Sequence, residues 1–141
     1  MKNGLIQLVY LSSTRWLLTA VDIASILEAS LRNNVRNNIT GILLYRSGSV
    51  MQMLEGNPEL VHRVFEVIKR DNRHHRITLV YDIPITKRDF PGWSMAYRDL
   101  EVPPSPGQIG YSPLLEEQFD IRDIGPARAR EVLSMFRDHF R

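Results

Sequence analysis

Two kinds of apolar pattern follow one another along this chain. In short segments the apolar residues alternate or run continuously, and in longer segments they recur every three or four positions. The first pattern is typical of strands and the second of helices. Their order limits the possible folds more than any other feature of the sequence. Strands are predicted over residues 5–11, 39–45, 50–55, 77–83 and 93–98.

Helix signals stand between these strands at two places. Thr19 can cap a helix, and Asp22 lies where the helix dipole favours an acid, so a helix is predicted from there to about Asn34. Asn57 followed by Pro58 is an equally good start for a second helix. The predicted order of elements is therefore β-α-β-β-α-β-β.

The first six elements of that order match the ferredoxin-like fold. We predict an α+β domain with a mixed sheet, both helices on one face, and the fifth strand at an edge or in the gap. A segment rich in proline and glycine then stops helices and strands alike. We predict a body over residues 1–102, a connector over 103–113 and a C-terminal helical tail over 114–141. The apolar face of the tail is expected to cover the open face of the sheet, or to contact a subunit or partner.

Composition excludes several classes of site. The chain of 141 residues has no cysteine, which rules out a disulfide framework, cysteine-ligated metals, a thiol nucleophile and a cysteinyl chromophore adduct. A net charge of +2 from 18 basic and 16 acidic side chains gives no argument for nucleic acid. No apolar run approaches the roughly 20 residues of a membrane span. We expect a cytoplasmic protein with no direct nucleic-acid or membrane partner.

Two polar residues fall on strand faces that should be buried. Tyr10 points to the inward face of the first strand, where a phenol needs a hydrogen-bond partner. Gln52 lies on the face of the third strand that the helices would cover, where an unpaired amide would cost about 1–3 kcal/mol. The ordinary alternatives are a core tyrosine with its hydroxyl at the rim and a glutamine bonded to nearby backbone.

Further unusual residues lie at the end of the first helix and in the last strand. Asn33 and Asn34 end an apolar stripe, and together their amides could recognise a planar ring with alternating carbonyl and N–H groups. The alternative is a helix C-terminal signal. Trp93 and Met95 share one strand face, where plain core packing is the alternative. These residues predict a neutral pocket that suits a flat, partly polar aromatic ligand better than hydrolysis.

Six stretches of the chain are similar to one family. LVYLS at 8–12, RNN at 32–34, NITGIL at 38–43, QMLEG at 52–56, DNRH at 71–74 and RDFPGWSM at 88–95 resemble the BLUF domain, in family order and spacing. BLUF domains sense blue light with noncovalently bound FAD. The resemblance is to a short, single-domain photoreceptor, and it implies FAD as cofactor, with FMN and riboflavin as alternatives. The family's ferredoxin-like sheet agrees with the predicted order of elements.

The resemblance implies a role for each matching residue. Tyr10 would donate an electron and a proton to the photoexcited flavin, and Gln52 would rearrange the hydrogen bonds between them. Trp93 and Met95 would carry the signal. The implied cofactor-binding residues are Tyr10, Ile26, Asn33, Asn34, Gln52, Ile68, Arg73 and His74.

The output expected from this resemblance is a change in binding to a separate effector protein or in self-association, and we expect a homo-oligomer without enzymatic activity of its own. A small hydrolase and an RNA-binding module of similar topology are the alternatives. The chain lacks the sequence motifs of common hydrolases and the aromatic RNA-binding strand of the second class.

Overall fold

The computed structural model describes residues 4–89 and 95–99. The elements are β1 (Leu5–Thr14), α1 (Ala20–Asn37), β2 (Thr40–Arg46), β3 (Ser49–Gly56), α2 (Pro58–Lys69), β4 (His74–Ile85) and β5 (Ala96–Asp99). The predicted β-α-β-β-α-β-β order and the ferredoxin-like α+β fold are confirmed. The predicted connector, tail and Trp93 lie outside the described residues.

The five strands form one sheet in the order β4-β1-β3-β2-β5. The first four strands pair antiparallel, and β5 adds to the β2 edge in parallel. The fifth strand therefore lies at an edge, which makes the sheet mixed. It begins at Ala96 instead of Trp93, so Met95 precedes the strand.

Both helices pack on the same face of the sheet. Leu27 of α1 and Phe65 of α2 belong to one buried cluster with Leu8 of β1 and Leu54 of β3. Alternation along the strands sends the intervening residues to the other face. There Val9, Ile42, Leu44, Met51 and Met53 are also buried.

Local signals explain where α1 begins and ends. Thr19 Oγ1 accepts from the backbone N–H of Asp22, and the Asp22 carboxylate accepts from the N–H of Thr19, which is a complete capping box. The helix ends at Asn38, whose φ of 53° is left-handed. The prediction that it ends near Asn34 is wrong, because Asn38 and not Asn34 takes the left-handed conformation that asparagine tolerates.

Candidate functional site

A cavity of about 540 Å³ opens between α1 and α2, with the sheet as its floor. This volume lies within the range of small-molecule and cofactor pockets. The α1 wall is formed by side chains such as Ile23, Ile26, Ser30, Asn33, Asn34 and Asn37, and the α2 wall by Arg63, Val64, Val67 and Ile68. Strand residues of the floor include Tyr10, Leu43, Tyr45, Val50, Gln52, Leu54 and Tyr97.

The residues predicted to bind a cofactor come together in this cavity. It is lined by Tyr10, Ile26, Asn33, Asn34, Gln52, Ile68, Arg73 and His74. They come from five different elements and the loop between α2 and β4. Their individual roles stay predictions.

Tyr10 and Gln52 are directly opposed in the antiparallel pair of β1 and β3. The Tyr10 hydroxyl donates to Gln52 Oε1, and both side chains are at most 4% exposed. Burial, together with the nearby Asp71 carboxylate, raises the pKa of the Tyr10 phenol far above its usual 10.0. The phenol is therefore a neutral hydrogen-bond donor in the folded protein.

The other end of the Gln52 amide reaches Met95. Gln52 Nε2 lies 3.6 Å from Met95 Sδ, and the Met95 side chain is only 2% exposed. A thioether is a weak acceptor and no donor. The amide therefore has a distinct partner at each end, the phenol at its oxygen and the sulfur at its nitrogen.

Two rings pack against Tyr10 and fix its position. The Phe65 ring is tilted, with its centroid 5.3 Å from that of Tyr10, and the His74 ring lies edge-on at 6.2 Å. His74 Nε2 is 2.7 Å from the Ile68 carbonyl oxygen, which can only accept. Nε2 therefore carries a proton, and Nδ1 is 2.9 Å from the Ser12 hydroxyl. His74 thus ties the start of β4 to α2 and β1.

An ion pair closes one end of the cavity. Arg73 NH2 lies 2.6 Å from Asp71 Oδ2, and Arg73 Nε and backbone N–H donate to the same carboxylate. This bonding holds the pKa of Asp71 below its usual range and raises that of Arg73. Arg73 NH1 also donates to Ser25 Oγ of α1 at 3.4 Å. The pair therefore bridges the start of β4 and the opposite helix.

Because α1 continues to Asn37, Asn33 and Asn34 lie within the helix and not at its end. Asn34 is buried and Asn33 is half-buried, and both line the cavity. Asn37 follows one turn later and donates from Nδ2 to the Asn33 carbonyl at 2.9 Å. A row of amides therefore runs along the α1 wall, on the helix face that meets the cavity.

Several lining residues were not singled out from the sequence. Tyr45 accepts from the Leu18 N–H at 3.0 Å, and so holds the chain just before α1. Arg63 and Arg70 line the α2 side. Their spacing with Val67, four and then three residues, is that of one helix face and was the signal available.

Metal and membrane features are absent from the described residues. Within 4–89 and 95–99, no three histidine, aspartate or glutamate side chains are grouped so that they could hold a metal ion. No helix in these same ranges is both long and apolar enough to span a membrane.

Comparison with known proteins decides the family. The sequence model of the family described as sensors of blue light using FAD matches residues 5–96. The chain belongs to the BLUF family. BLUF domains bind FAD, and the apolar and amide-lined cavity of this chain fits a flat aromatic ring with polar edges. This BLUF chain is accordingly a flavin-binding blue-light sensor.

Relatives of known name include other BLUF proteins. The alpha subunit of the photoactivated adenylate cyclase of Euglena gracilis is 38% identical over 87 residues, which are 62% of this chain and 8% of that protein. The beta subunit is 32% identical over 96 residues, 67% of this chain and 11% of that protein. The chain thus spans about a tenth of the length of these curated relatives.

Solved BLUF structures share the fold. The dark-state structure of BlrB, a BLUF protein, has a TM-score of 0.69 and 37% identity, covering 72% of this chain and 76% of that one. BlrP1 of Klebsiella pneumoniae, solved with FMN and cyclic diGMP, has a TM-score of 0.76 and 29% identity, covering 94% of this chain and 34% of that one.

Proposed function

We propose that Tyr10 and Gln52 carry the photochemistry of this sensor and that the signal leaves through Met95 to a separate partner protein. One observation supports this most directly. A continuous chain of contacts runs from the Tyr10 hydroxyl to Gln52 Oε1, and from Gln52 Nε2 to Met95 Sδ. Tyr10 and Gln52 also line the cavity that fits the flavin.

Different residues of the cavity would contact different parts of the cofactor. Ile26 and Ile68 come from facing helices and offer apolar contact to the two faces of a flat ring. Asn33 and Asn34 offer donors and acceptors to its uracil-like edge. When bound and excited by blue light, the flavin supplies a strong one-electron oxidant.

Tyr10 is suited to give up an electron together with its proton. Its burial keeps the phenol neutral, and an oxidised phenol is strongly acidic. The hydrogen bond from its hydroxyl already leads to Gln52 Oε1, which is the nearest acceptor for that proton. When the electron and proton return to Tyr10, the amide of Gln52 is left rotated or as its imidic tautomer.

Rotation of Gln52 would change its contact with Met95. The amide oxygen would then face the sulfur, and a thioether cannot donate to it. The imidic tautomer would instead keep the nitrogen beside the sulfur. A single hydrogen bond contributes about 0.5–1.5 kcal/mol, which is comparable to a typical coupling between sites of about 1–3 kcal/mol. The change is enough to bias a two-state element without unfolding the domain.

The element next to Met95 is well placed to respond. β5 begins at the following residue and pairs with β2 alone among the described strands. An edge strand of four residues is held by few hydrogen bonds, so a lost contact at its start can shift it. Movement of β5 would alter the surface that a partner protein or second subunit recognises.

Difference spectroscopy on the flavin-loaded protein tests the photochemistry. Blue light is expected to shift the flavin absorption reversibly to the red. Tyr10→Phe and Gln52→Leu are expected to keep the flavin and lose this shift. Tyr45→Phe removes the hydroxyl of another tyrosine of the cavity, one that bonds to Leu18 and not to Gln52, and should keep it. A normal photocycle in Tyr10→Phe or Gln52→Leu would disprove the corresponding assignment.

Capture from the native host tests the partner. The immobilised protein is expected to retain a different set of proteins under blue light and in darkness. The Gln52→Leu variant should retain the same set in both conditions. Identical capture by the wild type in light and darkness would contradict signalling to a separate protein.

A further inference from the structure

The positive charges of the cavity are distributed unevenly. Three arginines line it, Arg63, Arg70 and Arg73, against one acid, Asp71. Asp71 is engaged by Arg73 through several hydrogen bonds. Two positive charges in excess therefore remain, at Arg63 and Arg70, and both side chains are exposed.

Arg63 lies on α2, and Arg70 is the C-cap residue that follows its last turn. They are seven residues apart, which is about two helical turns and roughly 10 Å along the axis. Val67 lies between them, also lines the cavity and is 57% exposed. The rim of the cavity on the α2 side thus combines two guanidinium groups with an apolar side chain.

Neither Arg63 nor Arg70 forms a salt bridge within the described part of the chain. Arg63 has no ion-pair partner there. Arg70 contributes to the lowered pKa of Glu66, but the hydrogen bond from Lys69 is the larger cause. The facing wall of α1 is neutral, with Ser30, Asn33 and Asn37. Among the described residues that line the cavity, the uncompensated charge at the rim is therefore positive and lies on α2 and its C-cap.

FAD combines a neutral ring system with an anionic diphosphate. The interior of the cavity is neutral and suits the ring, whereas an exposed arginine pair suits phosphate oxygens, which guanidinium groups bind with two parallel hydrogen bonds. We propose that Arg63 and Arg70 bind the phosphates of the flavin cofactor, so that FAD and FMN bind more tightly than riboflavin. Arg73 is excluded from this role by its pairing with Asp71.

Dark titration of the flavin-free protein with three flavins tests this assignment. Riboflavin has the ring without phosphate, FMN adds one phosphate, and FAD adds the diphosphate and adenosine. Flavin fluorescence gives Kd for each, at low and at high salt. FAD and FMN are expected to bind more tightly than riboflavin, and only their affinities should fall with salt.

Substitutions distinguish the contribution of the arginines to flavin binding from that of the residues that contact the ring. Arg63→Gln and Arg70→Gln are each expected to weaken the binding of FAD and FMN by about two- to fivefold, as for exposed charge pairs, and to leave the affinity for riboflavin unchanged. Arg63→Lys should restore part of the loss. Arg36→Gln removes an exposed arginine of α1 that does not line the cavity, and should change none of the three.

Two results would overturn the proposal. One is a double variant that binds FAD and FMN as the wild type does, which would place the phosphates elsewhere. The other is an equal loss of affinity for all three flavins, which would show that the arginines stabilise the helix or the ring site and do not bind phosphate. Flavin binding is measured in darkness and does not depend on the photochemistry. The titration therefore tests the role of the arginines even if the proposed roles of Tyr10 and Gln52 are wrong.

Discussion

The Nε2 atom of Gln52 lies 3.6 Å from the sulfur of Met95, so the residue that precedes β5 touches the amide that bonds to Tyr10. This contact holds the amide in one of its two orientations. The orientation of a buried amide is therefore coupled to the position of an edge strand, which gives the proposed signal a structural route.

Met95→Leu is expected to slow the return from the red-shifted state and to abolish light-dependent partner capture. Leucine keeps the volume and removes the sulfur, so the fold should lose less than about 1.5 kcal/mol. The red shift itself should still form, because the bond between Tyr10 and Gln52 is kept. Recovery is followed by absorbance after a light pulse.

The control for this change is Met53→Leu, which is equally buried but on the opposite face of the sheet. It should leave recovery unchanged. If Met95→Leu recovered at the wild-type rate and its partner capture still responded to light, the route through Met95 would be wrong.

Asn34→Ala is expected to weaken the binding of FAD and of riboflavin by the same factor, about two- to tenfold. Asn34 is 1% exposed and lines the cavity, so its amide can bond to the ring shared by both flavins. One lost hydrogen bond of about 0.5–1.5 kcal/mol accounts for the size of the effect. Fluorescence titration measures both constants. Asn72→Ala, in an exposed turn outside the cavity, is the control, and equal affinities for Asn34→Ala and wild type would refute the role of Asn34.

A cluster of polar side chains on the sheet face opposite the helices predicts that the stability of the fold depends on pH. Gln7 Nε2 donates to Glu55 Oε2 at 2.9 Å and to Asp89 Oδ2 at 2.7 Å, and the Asp89 N–H also donates to Glu55. Burial raises the pKa of Asp89 above its usual 3.8, although the bond from Gln7 opposes this. The folded state thus binds a proton more tightly there than the unfolded state.

The free energy of unfolding should therefore lose the Asp89 contribution as pH rises from about 4 through the raised pKa of the folded state. Asp89→Asn keeps an acceptor for Gln7 and cannot ionise. Its stability relative to wild type should increase over this range, as measured by urea unfolding at successive pH values. Glu28→Gln removes one exposed charge as a control. A difference between Asp89→Asn and wild type that stays constant from pH 4 to 7 would contradict the assignment.

Gly41→Ala is expected to destabilise the fold by about 2–3 kcal/mol, as forced overpacking does. A Cβ at this position would lie 1.9 Å from the carbonyl oxygen of Met53 in the neighbouring strand, which is backbone and cannot turn aside. Gly56→Ala would meet its neighbours at 3.3 Å or more and should cost much less. Urea unfolding of the two variants compares these costs, and an equal effect would show that the β2–β3 pair adjusts freely.

Patterns of short range predicted most of the architecture. The capping box at Thr19 and the proline at position 58 start both helices where the sequence indicates. The end of α1 was missed because several asparagines there can adopt the left-handed conformation. The helix ends at Asn38 because the chain then enters β2. The pairing of β2 with β3 joins residues further apart in the sequence.

Contacts between distant segments decided the site. His74 meets Tyr10 because β4 pairs with β1, and Met95 meets Gln52 because β5 joins the edge next to β2. The resemblance implies that both Trp93 and Met95 carry the signal, and only the structure shows the contact between Met95 and Gln52. The charge excess at Arg63 and Arg70 likewise becomes visible only once Asp71 is seen to bind Arg73.

The order of strands and helices, the family and the residue types of the pocket follow from the sequence alone, because they depend on periodicity and on motifs that each lie within a few neighbouring residues. The partners of each polar atom were decided only by the tertiary structure. A hydrogen bond depends on distances of a few tenths of an ångström between segments far apart in the chain, and only the packed sheet and helices set those distances.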